Sequence, residues 1–447
     1  MIRRSQFNRC SGAILIVALW TCLGLASVCL LFGHSTLMAY RGADNDLAGR
    51  QAEHAIDGVA RHLIALLGAQ QTPGALPDVN SYPSAELLVG DATAWIVGRP
   101  GINTATTDPR NSTQLSFGLV DEASKLNLNT ATLQMLAALP GMTQDLAAAI
   151  VDWRDADENP SPNGAESETY LRRQPGYQCK NALFESVGEL GLVAGADPGL
   201  LFGRDTNLNG VLEDHETAPQ SQGSTGAAGL DNGLLEWVTA FTREPNKRSD
   251  GSARIKVAPR SASLDSLLQQ TFGASRAQQI QAAVGQTQAA SVLEFYVISG
   301  MTADEFAQVD GALTAADGDT ILGRINVNSA PEAVLTCVPG IGTEKAGAVV
   351  SARQARPQLD SHIAWVTEVL GREGSIQAGR HLTGQSFQFS ADIAAVGRSG
   401  RGYRRAQLVL DTSVGTPRIV YRRNLQRLGW ALGPQIRDSV ARAKEAL

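Results

Sequence analysis

"RINVNSAPEAVLTCVPGIG", residues 324 to 342, decides how the chain is built. A short apolar strand runs into Asn-x-Asn-Ser-Ala, a helix follows, and Pro-Gly-Ile-Gly turns the chain back. The same unit occurs earlier. "LNLNTATLQMLAALPGMTQDLAAAIVDWR" (126–154) aligns without a gap on "INVNSAPEAVLTCVPGIGTEKAGAVVSAR" (325–353), at an offset of 199. Asn127 and Asn129 match Asn326 and Asn328, Pro140-Gly141 matches Pro339-Gly340, and Arg154 matches Arg353. A fixed-offset match of this kind marks two copies of one supersecondary unit. A third, eroded copy is read at "RIKVAPRSASLDSLLQQTFGASRAQQIQAAV" (254–284). Ile255 and Val257 stand for the apolar pair, and Leu264, Leu267 and Leu268 give a helix face. In this reading an Asn or Ser/Thr caps the first helix and Pro-Gly ends it.

The unit resembles half of a helix-hairpin-helix module, a type that presents backbone N–H groups to DNA phosphates. The charge argues against that use here. Lys and Arg total 38 against 44 Asp and Glu, for a net charge of -6. A phosphate binder needs several cations; the copy at 325–353 offers Lys345 near its hairpin, and the copy at 126–154 has Asp145 instead. The hairpins are therefore read as scaffolding, with Leu136, Leu139, Ile150, Leu335, Val338 and Val349 buried.

The N-terminus is different in kind. Residues 1–12, "MIRRSQFNRCSG", carry three arginines and no acid, and the 21 residues Ala13 to Gly33 carry no charge. That length spans a bilayer core as a helix, with the basic flank cytoplasmic. The helix continues into "RQAEHAIDGVARHLIALLG", where Ile56, Val59, Leu63, Leu66 and Leu67 recur at helical spacing. Of five cysteines, only Cys179 and Cys337 lie beyond the apolar segment. They read either as two buried small hydrophobes or as a disulfide.

"DTNLNGVLEDHE", residues 205–216, has EF-hand loop spacing. Asp205, Asn207 and Asn209 stand at positions one, three and five, Gly210 at six, Val211 at seven through its carbonyl, Glu213 at nine and Glu216 at twelve. The expectation is one structural Ca²⁺, with Asp214 and His215 facing solvent and a flexible stretch, "TAPQSQGSTGAAG", after the loop. No hydrolase, zinc or Walker motif is present, so no enzyme is expected. The acid run "VDWRDADENP" (151–160) reads as a solvated helix end.

A basic leader ending in Gly12 before an apolar helix resembles the type IV pilin and pseudopilin signal, cut between Gly12 and Ala13 by a prepilin peptidase. Most pilins have Glu at the fifth mature position; here Val17 stands there, a departure typical of the type II secretion system protein K family. With the hairpins and the calcium loop in this order, the chain resembles that family, also called general secretion pathway protein K, over nearly its whole length.

The resemblance implies an α+β fold. A transmembrane pilin helix leads into an antiparallel pilin-type sheet, interrupted by a large helical domain with helix-hairpin-helix (SAM-like) repeats. It implies a leader (1–12), a membrane helix (13–35), a periplasmic helix with the first part of the pilin domain (36–124), the insert (125–380) and C-terminal strands completing the sheet (381–447). Within the last part, "SFQFSADI" is expected to turn Phe387, Phe389, Ala391 and Ile393 inward, and "RRAQLVLD" Ala406, Leu408 and Leu410. The family further implies a single-pass inner-membrane protein, mostly periplasmic, acting at a pseudopilus tip. Its partners would be the I-type and J-type minor pseudopilins, the major pseudopilin and the inner-membrane secretion platform, with no nucleic acid. The competing reading is a membrane-anchored helix-hairpin-helix DNA receptor of a competence-type uptake system.

Overall fold

The computed structural model describes residues 11–99, 115–217, 231–356 and 362–445. Most of the leader and nearly all of the stretch after the calcium loop lie outside the described residues. A continuous helix, Ser11–Gly68, opens the chain and is 58 residues long. Its first part is apolar and fully exposed, long enough to cross a membrane. From Ala48 onward it becomes amphipathic. Ile56, Val59, Leu63 and Leu67 are buried against a sheet, and Leu66 is half-buried beside them.

That sheet is antiparallel. Its middle strand, Gln388–Gly397, pairs with Ala92–Val97 on one side (Ile393 opposite Ile96) and with Arg401–Asp411 on the other (Phe389 opposite Leu410). Leu87–Val89 and Arg418–Asn424 form the edges, and Val120–Asp121 adds a short piece beside Phe389 and Ser390. The chain thus leaves the sheet after Asp121 and re-enters at Gln388. Phe389, Ala391, Ile393, Ala406, Leu408 and Leu410 pack on the long helix. The hairpin tip also touches it: a Cβ at Gly402, whose φ is +70°, would lie 2.3 Å from the Ala48 carbonyl carbon.

Three details differ from the sequence reading. The middle strand is buried on both faces, not on alternate residues. Trp95, Val97, Ala394 and Val396 face a second small core with Ala431 and Leu432. The chain does not end in strands either: Gly433–Glu445 is a helix, and Ile436 and Val440 lay one stripe on that second core. The stretch "LSFGLVDEASKLNLNTA" (115–131), β-rich by its sequence, contains only the strands Val120–Asp121 and Leu126–Asn127.

Between the two visits to the sheet lie three modules of one plan. Each opens with a two-residue strand, continues through a pair of helices joined by a turn and then further helical segments, and closes with a parallel two-residue strand. Leu126–Asn127 pairs with Val238–Thr239, Ile255–Lys256 with Leu313–Thr314, and Ile325–Asn326 with Leu382–Thr383. In each, the residue after the opening strand donates its N–H to the threonine carbonyl: Leu128 at 2.8 Å, Val257 at 2.9 Å, Val327 at 3.0 Å. Each threonine hydroxyl accepts the N–H two residues further on, from Phe241, Ala316 and Gln385, at 3.1 Å in all three. The eroded copy has therefore lost side chains and kept its backbone frame.

The helices are Leu133–Ala137 and Gln144–Arg154, then Ala262–Phe272 and Ala274–Val284, then Glu332–Leu335 and Gly342–Gln354. The turn between them needs a left-handed residue. Gly141, Gly273 and Gly340 supply it with φ of 75°, 79° and 84°. The asparagines do not cap helices. Asn127 and Asn326 accept the N–H of Asn129 and Asn328 at 2.8 and 2.9 Å, shaping the turn after the strand. Thr132 caps the first copy, whereas Pro331 holds that place in the third without a side-chain bond. Arg353 reaches back to the carbonyls of Val327 and Ala330, at 3.0 and 2.8 Å. Arg154 does the same to Leu128 and Ala131.

The first and third modules share one core, in which Leu136, Leu139, Ile150, Leu335, Val338 and Val349 are all buried. The second has its own, around Leu264, Leu268, Ile280, Phe295 and Phe306. Two neighbouring acids join the sheet to that shared core. The Asp121 carboxylate accepts from Asn326 at 3.2 Å, from Ser386 at 2.6 Å and from Ser329. Glu122 accepts from Thr239, Ser390 and Lys125.

Candidate metal centre

Burial governs the loop 205–216. Asp205, Asn207, Asn209 and Glu216 are each at most 4% exposed, and Val211 is buried as well. Gly210, at a φ of 81°, lets the chain turn at the sixth position. The Asp205 carboxylate accepts from the N–H of Gly210 at 2.7 Å and of Asn209 at 3.1 Å. Asn209 Oδ1 accepts from Val211 N at 2.8 Å. Glu216 spans the loop, accepting from Thr206 N at 2.9 Å with one oxygen and from Glu213 N at 3.1 Å with the other. The loop is thus curled upon its own acids. Asp214 and His215 face solvent, while Glu213 is partly buried and accepts from Asn209 Nδ2 at 3.3 Å.

The oxygens suit a hard cation. Asn207 Oδ1 is buried and accepts no hydrogen bond. Its Nδ2 donates to Trp430 O at 3.1 Å, and Asn209 Nδ2 donates to Ala431 O at 3.3 Å. Asn207 thus turns its nitrogen to the backbone at 430 and its oxygen elsewhere, while Asn209 Nδ2 is shared between Ala431 O and Glu213 Oε1. Burial pushes the Asp205 carboxyl up to about 6, although Arg99 and the loop N–H groups pull it down. A second positive charge would lower the cost of keeping that group ionised.

Sequence reasoning missed the seat of the loop. Leu208 has a φ of 53°, unusual for a branched residue, and its carbonyl accepts from Arg405 at 2.7 Å and Arg99 at 3.2 Å. Arg405, 1% exposed in the middle of the sheet, also holds Asn207 O at 2.5 Å and the Asp392 carboxylate at 2.8 and 2.5 Å. Arg99 is held by Glu236 at 2.8 Å. These partners stand up to about two hundred positions away, and no local spacing announces them. Asp392 and Arg405 stand at alternate positions of their strands, the ones opposite to the expected inward face, so their burial had no local signal.

The remaining expectations fall as follows. Cys179 and Cys337 are free thiols, both buried. Lys345, the cation nearest the Pro-Gly hairpin, donates to Leu370 O at 2.7 Å. The acid run 151–160 is not simply solvated, because Asp152 is wholly buried. Ala13 lies on the described helix; Gly12 stands in its first turn, and residues 1–10 of the leader are outside the described residues.

The family model "Type II secretion system (T2SS), protein K" matches residues 115–201. A Klebsiella pneumoniae type II secretion system protein K is 42% identical over 71 residues, 16% of this chain and 22% of that relative. A Pseudomonas aeruginosa protein of the same name is 28% identical over 209 residues, 43% of this chain and 58% of that relative. Each match thus spans less than two thirds of the relative's length. Among solved structures, the GspK-GspI-GspJ complex from the type 2 secretion system of enterotoxigenic Escherichia coli aligns at a TM-score of 0.36 and 11% identity, over 88% of this chain and 96% of that one. The family model and the curated relatives thus show similarity to the type II secretion system protein K family over part of the chain, the family model over residues 115–201.

Proposed function

We propose that this chain is a minor pseudopilin of a type II secretion system, placed at the pseudopilus tip, where it starts assembly and supports export of folded proteins. The observation that carries the reading is the protein K family match at 115–201, the segment where the chain leaves a helix-backed antiparallel sheet and enters the large insert. In this reading Ala13 becomes the mature N-terminus after a prepilin peptidase cuts behind Gly12. The helix anchors the chain once in the inner membrane, and the bulk is periplasmic. Residues 36–124 and 381–447 form the pilin-type domain, and 125–380 form the cap-like insert.

The three strand-bracketed helix pairs are helix-hairpin-helix units used for packing. Two observations support packing over DNA: Lys345 is spent on an internal carbonyl, and the matched hydrophobics of two copies share a core. Asp205, Asn207, Asn209, Glu216 and the carbonyl of Val211, with Glu213 behind, would hold one Ca²⁺ that fixes the loop on the sheet. The ion supplies rigidity, and nothing in the family reading calls for catalysis.

The test is co-purification from membranes with I-type and J-type minor pseudopilins. A stable complex with both, and loss of secretion on deletion, is the expected result. Salt-sensitive DNA binding by the full chain, with no pseudopilin complex, would turn the reading into the uptake receptor.

A further inference from the structure

Charge is divided unevenly along this chain. Residues 398–447 carry eleven Lys and Arg against three Asp and Glu, although the whole chain has a net charge of -6. An asymmetry of this kind speaks to partners, not to the fold. The structure collects much of the surplus at one end of the head. There the turn Arg398–Gly400 lies against the long helix at its first buried residue, Ala48. Gly397 packs on Ala48 O with no room for a Cβ, and Arg398 N donates to Gln51 Oε1 at 3.3 Å. Arg401 pairs with Asp44, and the Arg404 guanidinium stands against Gly49.

The C-terminal helix Gly433–Glu445 reaches the same place, where Gly400 packs on Val440 O. Its Ile436 and Val440 face the second small core, while Arg437 and Arg442 are exposed, as is Arg398. Of these five arginines, only Arg401 is in an ion pair among the described residues. Asp46 and Asp438 are exposed nearby and leave a cationic surplus.

This is the end of the head nearest the apolar segment. The first charged residue after that segment is Arg41, preceded by Tyr40, an aromatic and a cation that suit a membrane interface. With Gly33 at the edge of the hydrocarbon, Asp44 and its partner Arg401 stand about 17 Å above it. The headgroups fill about 5–8 Å of that distance. The gap left is on the order of one Debye length, about 8–10 Å at ordinary salt. The usual tilt of a membrane helix, about 20°, brings one side of the head closer still. The far end, where Gly68 meets Pro417, is about 50 Å above the hydrocarbon.

We propose that this basic end of the head docks on the anionic phospholipid headgroups of the membrane that holds the long helix. The proposal rests on the anchoring read from the apolar segment. A guanidinium offers paired N–H donors to a phosphodiester, and each cation near an anionic leaflet adds to the attraction. Placement favours lipid over an acidic protein. A protein could be met at any face of the head, whereas the bilayer can be met only at this one. Docked, the turn at 398–400 and the C-terminal helix keep the head down on the membrane.

The experiment reconstitutes the full chain in phosphatidylcholine vesicles, with or without added phosphatidylglycerol. Each vesicle contains a trace of lipid with a photoactivatable headgroup, and cross-linked peptides are mapped by mass spectrometry. Labelling at 34–41 should occur in both lipids and reports the anchor. Labelling at 398–404 and 433–442 should rise severalfold with phosphatidylglycerol. It should return to the phosphatidylcholine level in about 1 M salt, where the Debye length is about 3 Å. The combined variant Arg398→Gln, Arg437→Gln and Arg442→Gln should keep its melting temperature and its label at 34–41, and lose the gain. If that variant misfolds, the lipid and salt dependence of the unmutated chain decides alone. Equal labelling of 398–404 and 433–442 in both lipids, with 34–41 labelled, overturns the docking and leaves the anchor. No label at 34–41 in either lipid overturns the anchor and the docking with it. Burial of the same peptides by an added acidic pseudopilin in plain phosphatidylcholine, with no gain from phosphatidylglycerol, assigns the face to a protein and overturns the proposal.

Discussion

The first and third modules are the same device finished in two ways. Both open on a strand and an Asn-x-Asn turn, and both use an arginine, 199 positions apart, to tie the second helix to that turn. The third closes quickly: its return strand begins at residue 382, 57 after its opening at 325. The first takes 112 positions, from 126 to 238. The extra chain contains two acid-lined loops. A short closure can be held by packing, since few groups must be ordered for each apolar side chain that is buried. The long excursion of small helices and loops is packed too, with Tyr170, Phe184, Leu190, Val193 and Leu200 buried in the shared core, but more chain must be ordered for it. In the first module two stretches of that chain also place acids in buried positions, Asp152 and Glu166 in one and Asp205 and Glu216 in the other.

The sharpest way to break this comparison is to remove packing from the third module. Leu335 is wholly buried, and Leu335→Ala should cost about 2–5 kcal/mol, with or without calcium. Denaturant midpoints measure it, and an unchanged midpoint would show that the third module is not held by its core. Calcium removal should act on the first module instead. At free Ca²⁺ a hundredfold above its dissociation constant, about 2.7 kcal/mol is at stake. Hydrogen exchange in chelator should quicken at 205–216 and stay unchanged at 325–353; equal quickening in both would merge the two cases.

Acidity should separate the modules more finely. Burial pushes Asp121, the anchor of the third module, up to about 6, above its ordinary value near 3.8. The folded chain then holds that proton more tightly than the unfolded chain. Stability from Asp121 therefore rises as pH falls from about 6 to about 4. Glu122, the anchor of the first, is the reverse. Although burial raises it, Lys125 and the hydroxyls of Ser390 and Thr239 outweigh that and hold it below 4.5. Its contribution is present above pH 4.5 and fades below. Thermal melts across pH 4–6 should show a slope that flattens in Asp121→Asn, and an identical slope in that variant would remove Asp121 as its source. The smallest effect is expected at Lys345. Lys345→Ala loses one hydrogen bond to Leu370 O, about 1 kcal/mol, and should leave secretion intact. A secretion defect with normal stability would point to an anionic partner at that hairpin.

How much of this was written in the sequence depends on distance along the chain. The repeats, their buried leucines and the long apolar helix are local patterns, and they were legible. The eroded copy was readable from Ile255, Val257 and three leucines, though its proof lies in the backbone bonds to Thr314. The closing Val-Thr and Leu-Thr strands were not readable, because two residues carry no period and their partners stand 57 to 112 positions back. The twelve-residue loop was visible in its spacing, whereas Arg405 and Asp392 beneath it belong to strands whose polar residues looked outward-facing. The acids at 152, 155 and 166 read as a solvated helix end, since nothing local indicates that the chain folds back over Asp152 at Gly164.

The unbroken helix Ser11–Gly68 has a mechanical consequence. At 1.5 Å per residue, its 58 residues make a rod of about 87 Å. With the apolar stretch to Gly33 in a bilayer, the first buried residue of the head, Ala48, stands about 22 Å above the hydrocarbon. No hinge interrupts the rod, and glycines of the hairpin clasp it where it meets the sheet. The head therefore rides on its anchor as on a mast. Lifting the rod by one helical turn would raise the head by the same amount, and turning the rod would turn the head.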